Sequence, residues 1–176
     1  MNMKALTYDD ILLVPQYSDI ESRSHIDLST KLSRNYGLLK PYVASCMDTV
    51  CDSRMAIKMM ELGGVGCIHR FMCTTFQCNE VTKVKRFMED NHMLEKWGID
   101  REWHTNILQI PIMAAIGVSG EDIERATKLV ECGANVLLID VAHGHHKNVK
   151  LMLEKLFNIL PRHVDIIAGN ISTLES

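Results

Sequence analysis

The sequence lacks a long apolar run, a surplus of basic charge and a G-x-G-x-x-G phosphate loop. No stretch approaches the roughly 20 apolar residues that span a bilayer, and the start, MNMKALTYDD, carries acidic residues where a signal peptide has an apolar core. Lys and Arg number 19 against 22 Asp and Glu, which argues against a broad basic surface. We therefore expect no membrane and no nucleic acid as partner.

The cysteines do not follow the loop framework of a small secreted protein. There are six, and three lie inside or beside apolar strand or helix patterns; their positions are 46, 51, 67, 73, 78 and 132. The chain is 47% hydrophobic, so it can bury a core. These features predict a globular protein with free thiols in a reducing cytoplasm.

What the sequence has is a series of apolar segments that each end in a polar cluster. They are VASCMDTV (43–50), GVGCIHR (64–70), IMAAIGVSG (112–120), NVLLIDVAHGHH (135–146) and DIIAGNIST (165–173). Strands that are apolar on both faces and polar at the carboxyl end are typical of a parallel sheet covered by helices. The functional groups are then expected along one rim of that sheet.

Helical patterns alternate with these strands. The segment 52–62 begins with capping residues and ends at Gly63-Gly64, and the segments after Glu121 and from Val149 to Leu160 have the helical period. Such alternation predicts either an open doubly wound sheet or a closed barrel. Because no strand is followed by G-x-G-x-x-G, we favour an α/β barrel, of which five strands are a little over half.

Three segments fall outside the alternation. Residues 1–42 form a lead whose polar part, 16–34, is expected to cross the bottom of the barrel, and residues 90–106 form a short polar excursion. At the other end, Ser172 and Glu175 have the spacing of a capping box, which predicts the start of a helix. We therefore expect residues 1–176 to be the N-terminal part of one longer domain.

Several side chains near the predicted rim have both a functional and a structural interpretation. Asp140 ends its strand as a carboxylate that would otherwise be a buried unpaired charge, which favours function. His143, His145 and His146 could be part of a metal site, but no Cys or carboxylate is spaced to complete it, so we predict no metal. Cys46 could be a nucleophile, although packing as a small apolar residue fits it better.

Six blocks occur in an order and spacing that resemble the IMP dehydrogenase and GMP reductase family. They are LTYDDILLVPQYSDI, CMDTV, MAIKMMELGGVGCIHRF, AAIGV, LLIDVAHGHH and IIAGNIST. The resemblance covers nearly the whole chain apart from 90–106. It implies a (β/α)8 TIM barrel, usually a homotetramer, that moves a hydride between the purine C2 and a nicotinamide cofactor through a covalent link to a cysteine.

The resemblance also implies which residues form the site. Positions that match contacts to the bound purine mononucleotide are Ser45, Met47, Gly169 and Asn170. Positions that match the cofactor side, where NAD or NADP binds, are His69, Arg70, Asp140, Ala142 and His143. The family's nucleophilic cysteine and its potassium loop follow later strands, so we expect no catalytic residue before Ser176 and no turnover by residues 1–176 alone.

Two activities and one non-catalytic role remain open. Overall similarity favours an IMP dehydrogenase, which converts IMP and NAD to XMP and NADH. The alternative is a GMP reductase, which converts GMP and NADPH to IMP and ammonia, because Val141 stands where the family's dehydrogenases place a hydroxyl residue. The gap from Phe71 to Pro111 has no room for the regulatory CBS modules of many dehydrogenases. A half-barrel that acts only by binding is the third possibility.

Overall fold

A computed structural model describes residues 6–97 and 110–175. Its strands, in chain order, are β1 (Thr30–Lys31), β2 (Gly37–Leu38), β3 (Val43–Ala44), β4 (Val65–Ile68), β5 (Met113–Ile116), β6 (Val136–Asp140) and β7 (Asp165–Gly169). Its α-helices are α1 (Ser53–Glu61), α2 (Thr74–Asp90), α3 (Met93–Lys96), α4 (Glu121–Glu131) and α5 (Lys147–Ile159). Two 3₁₀ turns, Tyr8–Asp10 and Arg23–His25, precede β1.

The strand order distinguishes between the two predicted architectures. Strands β3 to β7 form a parallel sheet in which each pairs with the next along the chain. A doubly wound sheet reverses its strand order at a switch point, and the described strands show no reversal. The helices α1, α2, α4 and α5 contact one another in the same succession. This arrangement is an α/β fold with helices layered along a sequentially ordered parallel sheet, as in a sector of a barrel.

The five strands of the parallel sheet lie inside the predicted segments but are shorter, whereas β1 and β2 lie in the lead before them. The segment 135–146, for example, contains β6, and 43–50 contains only the two residues of β3. Every residue of β4 and β5 is buried, as the prediction of strands covered on both faces requires. The difference in length arises because the polar ends of the segments leave the sheet and form the connecting loops.

Capping and periodicity place the helices where the sequence predicts them. The Asp52 carboxylate accepts hydrogen bonds from the backbone N–H groups of Arg54 at 3.0 Å and Met55 at 3.1 Å. After α1, Gly63 has φ +86°, the left-handed conformation that suits glycine. In α4, Ala126 and Leu129 are fully buried against the sheet side. The helical prediction for 52–62 and for the segment after Glu121 is confirmed.

The hairpin of β1 and β2 is held at the amino end of β7. The Asp165 carboxylate accepts hydrogen bonds from Ser33 Oγ at 2.6 Å and from the backbone and side-chain nitrogens of Asn35, both at 2.7 Å. Tyr36 is 1% exposed and donates its hydroxyl to the carbonyl of His163 at 2.8 Å. Burial, with the charge of Asp165 beside it, raises the pKa of Tyr36 to about 12. This end of the lead therefore covers the bottom of the sheet.

The predicted polar excursion is only partly described, because residues 98–106 lie outside the described residues. Just before them, Met93 and Trp97 are buried, and Trp97 Nε1 donates to the Met60 carbonyl at 3.0 Å. At the chain's end, residues 171–175 form no helix, so the capping-box spacing of Ser172 and Glu175 is not realised in the described part. No helix among the described residues is long and apolar enough to cross a membrane.

Candidate functional site

The loops that follow β3 to β7 meet at one edge of the sheet, because the carboxyl ends of parallel strands point the same way. We call the residues 45–47, 69–70, 117–119, 140–144 and 169–170 the rim. The rim contains every site residue that the sequence predicts. Their mutual contacts decide which of them form one site.

The loop after β3 is a tight turn that presents two of the predicted nucleotide contacts. The Met47 amide donates to the Ser45 carbonyl at 2.9 Å, and the Met47 carbonyl accepts from Val50 and Cys51, both at 3.0 Å. Ser45 is exposed, and Met47 is 51% exposed. Backbone hydrogen bonds thus hold this turn in place while its side chains remain free to contact a ligand.

The loop after β4 carries a buried imidazole and a guanidinium. His69 is 7% exposed, and its Nδ1 accepts from the Phe71 amide at 3.2 Å. The Arg70 guanidinium lies 5.2 Å from the centre of the Phe71 ring and donates through Nη2 to the Asp140 carbonyl at 3.3 Å. Arg70 Nε is buried and has no hydrogen-bond partner among the described residues. Arg70 therefore connects the rim of β4 to that of β6 and still has an unused donor.

The loops after β6 and β7 are joined by their backbones. Val141 donates to the Gly169 carbonyl at 3.3 Å, Asn170 donates to the Val141 carbonyl at 2.8 Å, and Gly144 donates to the Asn170 carbonyl at 2.6 Å. A Cβ at Gly144 would lie 2.6 Å from that carbonyl oxygen, so only glycine fits there. Asp140 pairs with Gly169 in the register of β6 and β7. A residue predicted to contact the cofactor therefore lies beside a residue predicted to contact the nucleotide.

The three histidines after β6 differ in the contacts that they make. Ala142 and His143 are exposed, and the rings of His143 and His145 lie 6.5 Å apart. His146 Nδ1 accepts from the Asn148 amide at 3.1 Å and caps α5. No group of three or more His, Cys, Asp or Glu that could hold a metal ion occurs in the described part of the chain.

Cys46 lies between the two exposed residues Ser45 and Met47 in the loop after β3. It is half-buried and packs against the core, which agrees with its interpretation as a small packed residue. A hydrogen bond from the Cys67 thiol lowers the pKa of the Cys46 thiol, although burial and the Asp140 carboxylate act in the opposite direction. Cys46 thereby brings the nucleotide-side turn close to Asp140.

A buried polar network behind the rim was not found by sequence reasoning. Gln77 is fully buried, donates to the Ala115 carbonyl at 2.8 Å and accepts from Arg125 Nη1 at 2.7 Å. Arg125 also reaches the Met72 carbonyl at 3.1 Å and, through Nε, Asp122 at 3.6 Å. The only sequence signal was a glutamine among the apolar positions of α2. The network ties the ends of β4 and β5 together under the rim.

Asp122 occupies the start of α4, so that helix end is not open to an anion. Its Oδ2 accepts from the Ser119 amide at 2.9 Å and hydroxyl at 2.6 Å. Burial raises the pKa of the Asp122 carboxyl, but the hydrogen bonds from Ser119 and Gly117 and the charge of Arg125 outweigh it, and the pKa lies below its ordinary value. The anionic Asp122 thus lies in the first turn of α4, where a negative charge interacts favourably with the helix dipole.

A cleft at the other end of the sheet lies away from the rim. It has a volume of about 570 Å³ and is lined at the amino end of β7 by Leu32, Arg34, Leu156, Phe157, Ile166 and Ile167, among others. None of its lining residues belongs to the rim, so it does not enlarge the candidate site.

Comparison with known proteins bears on what such a rim does. A family model described as the IMP dehydrogenase / GMP reductase domain matches residues 5–176. An inosine-5'-monophosphate dehydrogenase of Cryptosporidium parvum is 38% identical over 195 positions, which cover 98% of this chain and 48% of that protein. An inosine-5'-monophosphate dehydrogenase of Nitrosopumilus maritimus and a GMP reductase of Leishmania major are each 30% identical, and each alignment covers 98% of this chain and 58% of the relative. The chain thus spans about half the length of these relatives.

Proposed function

The chain belongs to the IMP dehydrogenase / GMP reductase family, and on that premise we propose that it is the N-terminal part of the catalytic barrel of an IMP dehydrogenase, which oxidises IMP to XMP with NAD. The observation that carries the proposal is the junction at the rim, where the guanidinium of Arg70 holds the Asp140 carbonyl beside the Gly169–Asn170 turn. This contact brings the residues assigned to the cofactor next to those assigned to the nucleotide.

The proposed architecture is the first five units of an eight-stranded barrel. The sequential strand order supports it, and so does the incomplete cover of one face of the last two strands, where Leu138 and its partner Ile167 are only half-buried. A barrel closed by three further units would bury such residues. The family's nucleophilic cysteine and potassium loop are placed in that remainder, and the relatives are about twice as long as this chain.

The nucleotide is assigned to the loops that follow β3 and β7, the two outer strands of the parallel sheet. Ser45 offers a hydroxyl that can donate to or accept from a polar group of the ligand, and Met47 offers an exposed apolar side chain for the purine face. Gly169 and Asn170 complete this side. The backbone hydrogen bonds that fix both turns hold these groups in position before the ligand arrives.

The nicotinamide cofactor is assigned to the loops that follow β4 and β6, which flank β5. NAD would accept the hydride from the purine, and the protein would bind and orient it. The Asp140 carboxylate can accept from ribose hydroxyls, while the buried donor of Arg70, unpaired among the described residues, suits an oxygen of the ligand. Ala142 and His143 are exposed beside them and His69 is packed below. The donor set therefore fits a dinucleotide.

A GMP reductase that uses NADPH is the alternative activity, and one observation favours it. Val141 follows Asp140 and has no hydroxyl, as in the family's reductases. Against this, overall similarity is higher to a dehydrogenase, since the Cryptosporidium parvum dehydrogenase is 38% identical to this chain and the Leishmania major reductase is 30% identical. We therefore place the dehydrogenase first, in a homotetramer when the barrel is complete.

The test is to assay the full-length protein for NADH formation with IMP and NAD, and for NADPH consumption with GMP. We expect turnover with IMP and NAD. Asp140→Asn should raise the KM for NAD about tenfold or more, because a hydrogen bond to a charged group contributes about 1.5–3 kcal/mol, and should leave the KM for IMP within about twofold. Asp90→Asn, an exposed site at the end of α2, is the matched control.

Turnover only with GMP and NADPH would reject the dehydrogenase and support the reductase. Residues 1–176 alone should give no product with either pair. Formation of XMP by residues 1–176 would refute the assignment of the nucleophile to the remainder of the barrel, and loss of IMP affinity in Asp140→Asn would refute the division of the rim into two sides.

A further inference from the structure

The loop after β4 is held at both of its ends by one buried cluster. Gln77 Nε2 donates to the carbonyl of Ile68, the last residue of β4, at 3.4 Å. Arg125 Nη1 donates to the carbonyl of Met72, two residues before α2, at 3.1 Å. Gln77 Oε1 accepts from the same Nη1 at 2.7 Å, so the two side chains act on the loop as one unit. Residues 69–71 lie between the two anchored carbonyls.

Burial and a counter-ion hold this cluster in place. Gln77 is fully buried, and the side chains of Arg125 and Asp122 are 18% and 12% exposed. Asp122 Oδ1 lies 3.6 Å from Arg125 Nε and gives the guanidinium a carboxylate partner. A buried polar network whose donors are engaged is rigid, because leaving any member unpaired is costly. We call the side chains of Gln77, Asp122 and Arg125 the clamp.

The clamp also reaches the loop after β5. Asp122 Oδ2 accepts from the Ser119 amide at 2.9 Å and from the Ser119 hydroxyl at 2.6 Å. A Cβ at Gly117 would lie 2.7 Å from Asp122 Oδ2 and 3.4 Å from Arg70 Nη1. Gly117 therefore leaves open the space in which the Arg70 guanidinium and the Asp122 carboxylate come near each other.

Arg70 has few contacts outside its own loop. Its Nη2 donates to the Asp140 carbonyl at 3.3 Å, which is a long hydrogen bond, and its ring partner Phe71 belongs to the same loop. Arg70 Nε is buried and has no hydrogen-bond partner among the described residues. The place of the guanidinium therefore depends on where the backbone of the loop is held.

We propose that Arg125, supported by Gln77 and Asp122, is a positioning residue for the cofactor side of the rim, because it holds the loop after β4 so that Arg70 lies where the dinucleotide binds. The assignment of this side to the cofactor rests on the proposed function. The clamp itself rests on the hydrogen bonds at the two ends of the loop. Arg125 lies behind the rim and acts through the loop.

The nucleotide side is held by contacts of its own. The Met47 carbonyl accepts from the amides of Val50 and Cys51, and the Asn170 amide donates to the Val141 carbonyl. Within residues 6–97 and 110–175, the hydrogen bonds of the clamp go to the loops after β4 and β5 and to neither of these turns. Loss of the clamp should therefore affect the cofactor and spare the nucleotide.

The first test is the steady-state kinetics of Arg125→Met in the full-length protein. We expect kcat/KM for NAD to fall about 10- to 100-fold, since a misplacement of about 1 Å can cost on the order of 100-fold. The KM for IMP should stay within about twofold of wild type. Arg125→Lys keeps a cation that donates hydrogen bonds and should recover part of the loss. Lys128→Met removes an exposed cation from the same helix and, as the matched control, should behave as wild type.

The second test is amide hydrogen exchange, which requires no turnover. The Phe71 amide donates to His69 Nδ1 at 3.2 Å, so its exchange reports the order of the loop. In Arg125→Met, exchange in peptides that cover 69–72 should accelerate about tenfold, the factor expected from the loss of one hydrogen bond. Exchange in the turn at 45–47 should match wild type.

Three results would overturn the proposal. Unchanged exchange at 69–72 in Arg125→Met would show that the clamp does not hold the loop. Equal losses for NAD and IMP would show that Arg125 supports the whole fold and positions no one side. Faster exchange with unchanged kinetics for NAD would show that the loop does not position the cofactor. If Arg125→Met does not fold, Arg125→Lys must show the same division between NAD and IMP to a smaller degree, and an equal effect on both would overturn the proposal.

The two tests separate the clamp from the proposed function. If wild type turns over only GMP and NADPH, the dehydrogenase is rejected, and the clamp stands when exchange at 69–72 accelerates and the kinetic loss falls on NADPH. If wild type turns over IMP and NAD while exchange in Arg125→Met is unchanged, the clamp is rejected and the proposed function stands.

Discussion

Gln77 shows how one buried side chain supports the rim from behind. It is fully buried between two strand ends, and both ends of its amide are used: Nε2 donates to the Ala115 carbonyl, and Oε1 accepts from Arg125. The guanidinium of Arg125 is itself largely buried, so its charge depends on these oxygen partners.

Gln77→Leu should therefore lower the free energy of unfolding by about 2–3 kcal/mol, because it leaves a buried charged donor without one acceptor. Gln77→Glu keeps the acceptor for Arg125 and loses only the donor, so its loss should be smaller. Urea denaturation measures both, with Gln16→Leu at an exposed position as the control, expected within about 0.5 kcal/mol of wild type. Equal losses in the two Gln77 variants would contradict the role given to Arg125.

At the scale of one element, α1 shows how a helix start responds to pH. Burial alone raises the pKa of the Asp52 carboxyl, but hydrogen bonds from Met55 and Arg54 outweigh it and the pKa lies below its ordinary value. The folded state thus binds a proton less readily than the unfolded chain does. The stabilisation is complete above the unfolded pKa of about 4 and is lost as the pH falls through the lower folded pKa.

Asp52→Ala should cost about 1 kcal/mol at pH 7, since the N-cap acceptor is lost. The difference from wild type should shrink below about pH 4, where the wild-type carboxylate becomes protonated as well. Asp52→Asn keeps an uncharged cap and should retain most of the stability at pH 7. Denaturation midpoints at pH 7, 5 and 3 measure the effect; a constant difference between wild type and Asp52→Ala across this range would rule out a titrating cap.

At the scale of the whole molecule, Asp165 fastens the N-terminal hairpin to the last strand of the sheet. Its carboxylate accepts three hydrogen bonds from Ser33 and Asn35, which lie 132 and 130 residues earlier in the chain. Beside this junction, the cleft between α5 and β7 and the edge of β7 present apolar side chains such as Phe157, which is 69% exposed. These surfaces are where further units of a barrel would pack.

Asp165→Ala should leave the donors of Ser33 and Asn35 without their acceptor and cost about 2–3 kcal/mol, which corresponds to a fall in Tm on the order of 5–10 °C. Amide hydrogen exchange should accelerate in residues 30–38 more than in β4 to β6, because the hairpin is the part that is released. Asp19→Ala, at an exposed site of the lead, is the control. Uniform acceleration across the sheet would show that Asp165 stabilises the whole fold and not the hairpin alone.

Local signals made much of the fold predictable. The cap at Asp52 and the left-handed Gly63 are short-range features, so the bounds of α1 could be predicted within a residue or two. The fully apolar strands predicted a sheet covered on both faces, and the polar residues after them predicted the rim. Trp97 shows the limit of such signals. It lies in a polar stretch of the sequence, and only the structure shows that it is buried and donates a hydrogen bond to the Met60 carbonyl.

The sequence by itself determined the alternation of strands and helices, the parallel character of the sheet and the side on which Asp140, Arg70 and Asn170 gather, because these follow from periodicity, capping and the common direction of the strands. Only the tertiary structure decided the partners: Arg125 for Gln77 across 48 residues and Asp165 for Asn35 across 130. Such pairs depend on which distant segments pack together, and neither residue carries a local sign of the other.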